Sequence, residues 1–422
     1  MPPLILVTGA TGYIASRLIP QLLDRGYRVR ALARQPQRLK NKTWASQVDI
    51  SQGDVMDSST LASAFVGVQI AYYLVHNMAS GRGYTGRELQ AAKNFAQAAE
   101  DAGIQHIIYL GGLADEEQHI APHMRSRIET GATLRQGKVP VTEFRAGVVI
   151  GSGSISFEMI RFMVEQFPVI PAPVWVRNKS QPISTQNVID YLLAALDNDS
   201  GQGRVFEIGG PDVTTYQELM LCYARARGHK RRFLLLPYVP VWFMAFGISL
   251  TTPVPRPIAY ALVGGLSSDS VVMHPDARKI YPEVNLMDFE SAIREALTRL
   301  HPHKIERVWD DAKPFRHEGF YISRSEIKIN TAPEKTFDAI AKLTEQFVVE
   351  KAGTDTLLVS LKIKLPGECW VEWKAVRNPD ITSMTQIIFF TPRGFGGFLF
   401  WHLFHQILKR VLENTVHNSV VK

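Results

Sequence analysis

The sequence predicts an α/β protein: a doubly wound parallel sheet followed by a small α+β domain. Three observations predict it. An apolar strand turns through Thr8-Gly9 directly into a helix; apolar runs then alternate with amphipathic helices as far as Phe144; and after Tyr321 the pattern changes to period-two alternation. A chain of 422 residues has ample core for two or three domains.

Leu4 to Val7 is an unbroken apolar run, as a strand covered on both faces requires. The helix after it carries Ile14, Leu18 and Leu22. Gly9, Gly12 and Ala15 stand three apart. The first glycine permits the turn, the second lets a pyrophosphate approach the backbone, and a small third residue lets helix and strand pack closely. The helix start offers free N–H groups and the positive end of its dipole to a phosphate. Tyr27 to Leu32 reads as the second strand, Val48 to Gln52 as the third, Gln69 to Val75 as the fourth, His106 to Leu110 as the fifth and Val141 to Phe144 as the sixth. Helices over Leu61 to Phe65, Arg87 to Ala102 (closed by Gly103) and Met124 to Leu134 supply right-handed crossovers.

Beyond Gly147 the alternation loosens. Phe157 to Gln166, Thr185 to Asp197 and Tyr216 to Arg227 read as helices, Val205 to Ile208 as a strand and Phe289 to Leu300 as a terminal helix. Residues 150–300 are expected to build the substrate side of a first domain, 1–305. The stretch from His301 to Gly319 mixes Pro, His and charge, and a linker is placed at 306–320. In the second domain, 321–422, strands are expected at Tyr321 to Ile329, Leu357 to Leu365, Cys369 to Val376 and Met384 to Thr391, with turns at Pro366-Gly367 and Asn378-Pro379. Pro333 to Leu343 and Phe398 to Leu412 read as its helices.

The net charge of +7 is spread along the chain, so nucleic acid is not implied; an anionic cofactor or an anionic membrane surface fits. Two cysteines, Cys222 and Cys369, lack ligand spacing and suit a reducing, cytoplasmic setting. The N-terminus goes straight into the first strand, so no cleavable signal peptide is expected. Phe233 to Pro255 carries no charge, but Pro237, Pro240, Pro253 and Pro255 break it. It reads as an apolar flap over a substrate site, with peripheral contact to a membrane as the alternative. No metal site is expected: His301 and His303 have no carboxylate pattern beside them, and His402 and His405 stand among Phe and Leu. No Gly-x-Ser-x-Gly elbow supports hydrolysis.

Thr8-Gly9-Ala10-Thr11-Gly12-Tyr13-Ile14-Ala15 resembles the cofactor motif of the extended and atypical short-chain dehydrogenase/reductases. Gly53-Asp54-Val55 is similar to their adenine-contacting turn, Tyr73-Leu74-Val75-His76 follows the fourth strand, and Phe144 to Gly151, with Ala146 and Gly147, resembles the segment leading to the nicotinamide pocket. Gln181-Pro182-Ile183 also matches. Ser126-Arg127-Ile128-Glu129, Gly151 to Met159 and Pro392 to Gly397 resemble a bacterial subgroup related to the Rossmann accessory subunit of respiratory complex I. Its members carry a START-like helix-grip domain of uncharacterised function. In that subgroup the domain has a long Gly- and Trp-rich middle section; here Leu343 passes quickly to Leu357, so a shortened domain is expected. The resemblance implies that Thr8, Gly9, Thr11, Gly12, Tyr13, Ile14, Asp54, Val55, Leu74, Val75, Ala146 and Gly147 hold a nicotinamide dinucleotide.

Strand two ends in Arg34, with no carboxylate to reject a 2′-phosphate, so NADP(H) is favoured over the alternative NAD(H). The superfamily uses a Tyr as acid and a Lys four residues later, on one helix face. At that place stand His123 and Arg127. Arginine can grip ribose hydroxyls but cannot release a proton near neutral pH. A histidine beside it should stay neutral. The usual Ser after strand five is replaced by Leu110-Gly111-Gly112. Two readings stay open: a reductase with His123 and Arg127 as catalytic residues, acting on a small apolar or lipid-like molecule, and a catalytically silent, cofactor-bound sensor or assembly protein. Tyr13, Tyr73 and His76 are expected in the cofactor cleft. The stripe of Phe157, Met159, Phe162 and Met163 reads as core or as substrate wall, and Trp242, Phe243 and Phe246 suggest an apolar substrate.

Overall fold

Leu4–Val7 (β1) is buried along its whole length because each of its faces meets a different layer. Ile5 and Val7 point into one core with Leu18, Leu22 and Val188. Leu4 and Leu6 point into the other with Phe65, Ala91 and Phe95. That two-sided burial is why the strand reads as a continuous apolar run. The computed structural model describes residues 2–40, 42–76, 84–118, 120–252, 254, 256–302, 320–329, 333–343, 345–353, 355–377 and 382–421.

After β1 come α1 (Tyr13–Asp24), β2 (Arg28–Ala33), β3 (Asp49–Gln52), α2 (Ser58–Phe65), β4 (Ile70–Tyr73), α3 (Tyr84–Asp101), β5 (His106–Gly112), α4 (Pro122–Leu134) and β6 (Val141–Ala146). Next follow β7 (Val149–Ile150), α5 (Ile155–Gln166), β8 (Val169–Pro173), β9 (Lys179–Ser180), β10 (Ile183–Ser184), α6 (Thr185–Asp197) and β11 (Val205–Ile208). The main sheet runs β11-β6-β5-β4-β1-β2-β3, all parallel. This is a Rossmann sheet, and its order reverses between β1 and β4, where ligands of such sheets bind.

The remainder of this half comprises β12 (Thr214–Thr215), α7 (Tyr216–Ala226), β13 (Arg232–Leu236), α8 (Val241–Thr251), α9 (Arg256–Gly265), α10 (Ala277–Ile280) and α11 (Phe289–Thr298). The expected flap is thus no single element. Its start pairs with β8 as the parallel strand β13, and the rest is a helix, α8, entered behind Pro240. Helix α5 packs against α7 and α8, and every residue from Phe157 to Gln166 is buried. Its charged groups are therefore paired, as burial demands. Arg161 Nε meets Glu158 at 2.6 Å. Glu165 accepts from Tyr223 Oη at 2.9 Å and Arg227 Nε at 2.7 Å, and it meets His229 Nε2 at 2.8 Å.

Most of the expected linker, 303–319, lies outside the described residues, as does the Asn378-Pro379 turn. Beyond it stand β14 (Tyr321–Lys328), α12 (Pro333–Ala341), β15 (Phe347–Ala352), β16 (Thr356–Leu361), β17 (Gly367–Arg377), β18 (Thr382–Pro392) and α13 (Gly394–Val421). They form an antiparallel sheet, β14-β18-β17-β16-β15, with a long helix. The stretch between Leu343 and Leu357 is not empty: it holds β15, an edge strand whose Val348 to Ala352 are exposed. Trp373, Phe390 and Trp401 fill the space between sheet and α13. Tyr321 packs on Phe162 of α5, at 5.4 Å between ring centroids, so the two halves share a wall.

Burial alone would raise the Glu165 carboxyl, but Arg227 and His229 outweigh it and hold the pKa below the ordinary 4.5. A depressed folded-state pKa gives stability that is complete above the ordinary value and is lost as pH falls through the folded one. Glu165→Gln leaves Arg227 and His229 without their counter-charge and should cost about 3 kcal/mol at neutral pH. Thermal melts from pH 7 to pH 3 should show the gap between the two proteins closing below the ordinary value.

A nucleotide cleft and an adjoining apolar pocket

The turn that opens the cleft is set by one close approach. Gly9 adopts a φ of +64°, and a Cβ there would lie 2.6 Å from the Leu74 carbonyl oxygen. Thr8 locks the same junction: its hydroxyl donates to Tyr72 O at 3.0 Å and accepts from Leu74 N at 3.1 Å. Gly12 is the N-cap of α1, with no capping side chain and no acidic residue in the first turn. The helix thus begins with its N–H groups and dipole free to meet an anion.

Thr8, Gly9, Thr11 and Gly12 line a cleft of about 240 Å³ together with Arg34, Asp54, Val55, Leu74, Val75 and Arg87. Arg34 is an exposed side chain at its rim. A second pocket of about 270 Å³ is lined by Tyr13, Ile14, His123, Arg127, Ala146 and Gly147. His76 belongs to both, so the two cavities meet at its ring. Every residue expected in the cofactor site except Tyr73 lies on this joined surface.

The polar groups at the junction are held neutral or unpaired. His76 Nε2 lies 3.1 Å from Leu110 O, which makes Nε2 the protonated nitrogen and leaves Nδ1 an acceptor. Burial, then Arg127, pushes its pKa well below the usual histidine value. His123 is 6% exposed, inside α4 behind Pro122 rather than on a loop. Burial first and Arg127 second lower its pKa to about 3. The sequence anticipates this neutrality from Arg127 alone; desolvation is the larger cause. Two buried atoms here, His123 Nδ1 and Arg127 Nε, have no hydrogen-bond partner among the described residues. Buried polar atoms are nearly always satisfied, so this pair beside a glycine cradle fits a bound group that carries hydrogen-bonding atoms.

The missing serine has a steric reason. A Cβ at Gly112 would stand 2.7 Å from Met124 Cε and 2.9 Å from Arg127 Cδ. The arginine stem occupies the room a serine would need. Around it, Tyr109 Oη donates to Arg127 O at 2.9 Å, and Ser126 Oγ donates to the buried Glu88 carboxylate. The Ser-Arg pair thus ties α4 to both β5 and α3.

Some expectations are corrected. Tyr73 is buried against Phe95 and Tyr109, away from the cleft. No described residue between Phe233 and Pro255 lines the pocket; that wall is α9, through Leu262 and Gly265. Trp242, Phe243 and Phe246 face outward and are exposed. Of the α5 stripe, Met159 reaches the pocket, whereas Phe162 packs in the core of the C-terminal half. Sequence reasoning missed Ser154, Tyr216, Met220, Ser268 and Ser270, which also line the pocket. Only the polar break Ser267 to Ser270 after an apolar helix could have signalled any of them. Among the described residues no group of three His, Cys, Asp or Glu could hold a metal ion. No described helix is long and apolar enough to cross a membrane.

Parallel sheet, glycine turn and helix N-terminus define the Rossmann fold of the atypical short-chain dehydrogenase/reductase class. The sequence pattern of the NmrA-like family matches residues 1–260, and the chain belongs to that family. It is 28% identical over 237 residues to a (4-alkanoyl-5-oxo-2,5-dihydrofuran-3-yl)methyl phosphate reductase of Streptomyces griseus, spanning 54% of this chain and 76% of that one. It is 24% identical over 282 residues to subunit 9 of the NADH dehydrogenase [ubiquinone] 1 alpha subcomplex of Arabidopsis thaliana, covering 63% and 70%. In structure it is similar to the triphenylmethane reductase of Citrobacter sp. complexed with NADP(H), with a TM-score of 0.57 and 21% identity over 69% of this chain and 99% of that one.

A left-handed backbone costs a non-glycine residue ~1–2 kcal/mol, so Gly9→Ala should weaken binding of a nicotinamide dinucleotide about five- to thirtyfold. Calorimetric titration of both proteins, with circular dichroism to verify folding, checks this.

Proposed function

We propose that the chain is an NADP(H)-dependent reductase acting on a small apolar or lipid-like molecule. The observation that carries this reading is the junction at His76, where a glycine-opened nucleotide cleft runs into a larger pocket with a mainly apolar lining. When bound, the nicotinamide supplies a hydride. Thr8, Gly9, Thr11 and Gly12, with Tyr13 and Ile14, receive the diphosphate end; Asp54, Val55, Leu74 and Val75 flank the adenosine side; Arg127, Ala146 and Gly147 flank the nicotinamide side. Arg34, at the end of β2, pairs with a 2′-phosphate.

The chain's own groups restrict the chemistry. Arg127 holds ribose hydroxyls and supplies fixed positive charge. Neutral His123 donates one hydrogen bond but cannot act as a strong acid near pH 7. The acceptor that suits this site is an activated C=C bond, whose developing charge is spread and whose proton comes from water. The silent, cofactor-bound sensor or assembly protein is favoured by two observations: no tyrosine stands where the acid is needed, and burial keeps His123 neutral far below pH 7.

NADPH oxidation against a panel of quinones, enals and ketones separates the two readings. Turnover that falls at least about tenfold in His123→Ala supports the reductase; tight NADPH binding with no turnover supports the silent protein. With His123 at about 3, the kcat/KM profile of the reductase should show no inflection from this residue between about pH 5 and pH 8. Arg34→Glu should reverse cofactor preference, weakening NADPH by about tenfold or more while sparing NADH; equal losses for both would remove the role given to Arg34.

A further inference from the structure

Two helices are apolar on the side turned away from the protein. On α13, Trp401, Leu408, Leu412 and Val416 face inward. Phe395, Leu399, Leu403, Ile407 and Val411 recur every fourth residue on the opposite side and are exposed, Leu403 to 65%. On α8, Ala245 and Ile248 are buried, while Trp242, Phe243, Phe246 and Leu250 are exposed, Leu250 to 66%. Helices that are apolar all round are ordinarily buried, and contiguous exposed apolar faces mark a site of interaction. Tyr321 touches both: its hydroxyl donates to Thr251 O, at the end of α8, at 3.2 Å, and its ring lies 5.8 Å from that of Trp401 in α13.

Charge identifies what covers them. From Leu219 to Ser268 there is no Asp or Glu, and from Ile381 to Leu412 there is none either. The same stretches carry exposed Lys230, Arg232, Arg256, Arg393 and Arg410. The Arg256 guanidinium sits 5.7 Å from the Phe246 ring centroid, within the aromatic face itself. Apolar faces that carry aromatics, in stretches of chain that hold cations and no carboxylate, fit the interface of an anionic bilayer, where rings enter the headgroup layer and basic groups meet phosphates.

We propose that α8 and the first half of α13 together form a docking surface for an anionic phospholipid bilayer. The hairpin partner of α8 is α9, and α9 supplies Leu262 and Gly265 to the pocket. Docking therefore sets the pocket wall beside a reservoir of apolar molecules; this last step alone rests on the reductase reading.

The test is cosedimentation of the full chain with vesicles of phosphatidylcholine alone and of phosphatidylcholine with phosphatidylglycerol. The wild type should partition to the anionic vesicles, and raised salt should weaken it. Leu403→Ser with Ile407→Ser, and separately Trp242→Ser with Phe246→Ser, should each lower partitioning by about tenfold or more. Arg256→Glu should do so only on anionic vesicles. Circular dichroism and thermal melts serve as the folding control, and none of these residues lines the cleft or the pocket. No partitioning of the wild type, or partitioning unchanged in both double variants, overturns the proposal. So does light scattering that shows a dimer dissociated by the same substitutions while vesicles are ignored, since the faces would then join two copies. Vesicle binding is read without cofactor, so its failure leaves the NADPH assays standing, and theirs leaves it standing.

Discussion

The site depends on one close approach between backbones. The chain leaving β1 must pass within a side chain's width of the chain leaving β4, and only a residue without Cβ allows it at Gly9. Thr8 then bridges Tyr72 and Leu74 and fixes the separation of the two strand ends. Because β1 and β4 are where the sheet order reverses, their separation is also the width of the cleft. The same contact that closes the sheet therefore opens the helix start to a phosphate, and neither property can be varied alone.

The second constraint is the space beneath α4. A tyrosine-and-lysine pair with a serine opposite is one way to fill it; here Arg127 and Met124 fill it and Gly112 makes room. On the other side a Cβ at Gly265 of α9 would come within 2.9 Å of His123 Cε1, so that ring too is packed where it stands. Burial between α4 and α9 strips His123 of water and keeps it uncharged. The electrostatics of the pocket follow from packing: the Arg127 cation, the Asp269 carboxylate, two neutral imidazoles and mainly apolar walls.

What the sequence made legible, and what it did not, divides along physical lines. The parallel strands were readable because both faces are covered, which leaves continuous apolar runs. The cofactor turn was readable because its glycines answer local sterics. Strand β15 was not, since an edge strand with Val348, Val349, Glu350 and Lys351 all exposed has no alternation to show. Helix α8 was concealed by its apolar character on every side, which removes the helical period on which recognition depends. The pocket wall from α9 could not be read, and Ser268 and Ser270 showed only as a polar break after an apolar helix. They reach the site through tertiary packing more than 100 residues beyond β6, and no local pattern encodes that distance.

Helix α5 explains how the two halves of the chain bear on one site. Its first residues, Ser154 to Ser156, line the pocket, and its last, Gln166, donates to Tyr321 of the C-terminal sheet. Between them every side chain from Phe157 onward is buried, and three of those side chains are charged. Buried ion pairs tolerate little displacement, because a shift that breaks one leaves an uncompensated charge. Glu158 is tied at both ends of its carboxylate, to Gly153 N at 2.9 Å and to Arg161 at 2.6 Å, so the pocket end of the helix is held by the same network that anchors its middle. A helix held this way behaves as a strut. Whatever presses on the C-terminal sheet at Tyr321 meets the pocket wall through a stiff element, because the helix that lines the pocket at its start contacts that sheet at its end.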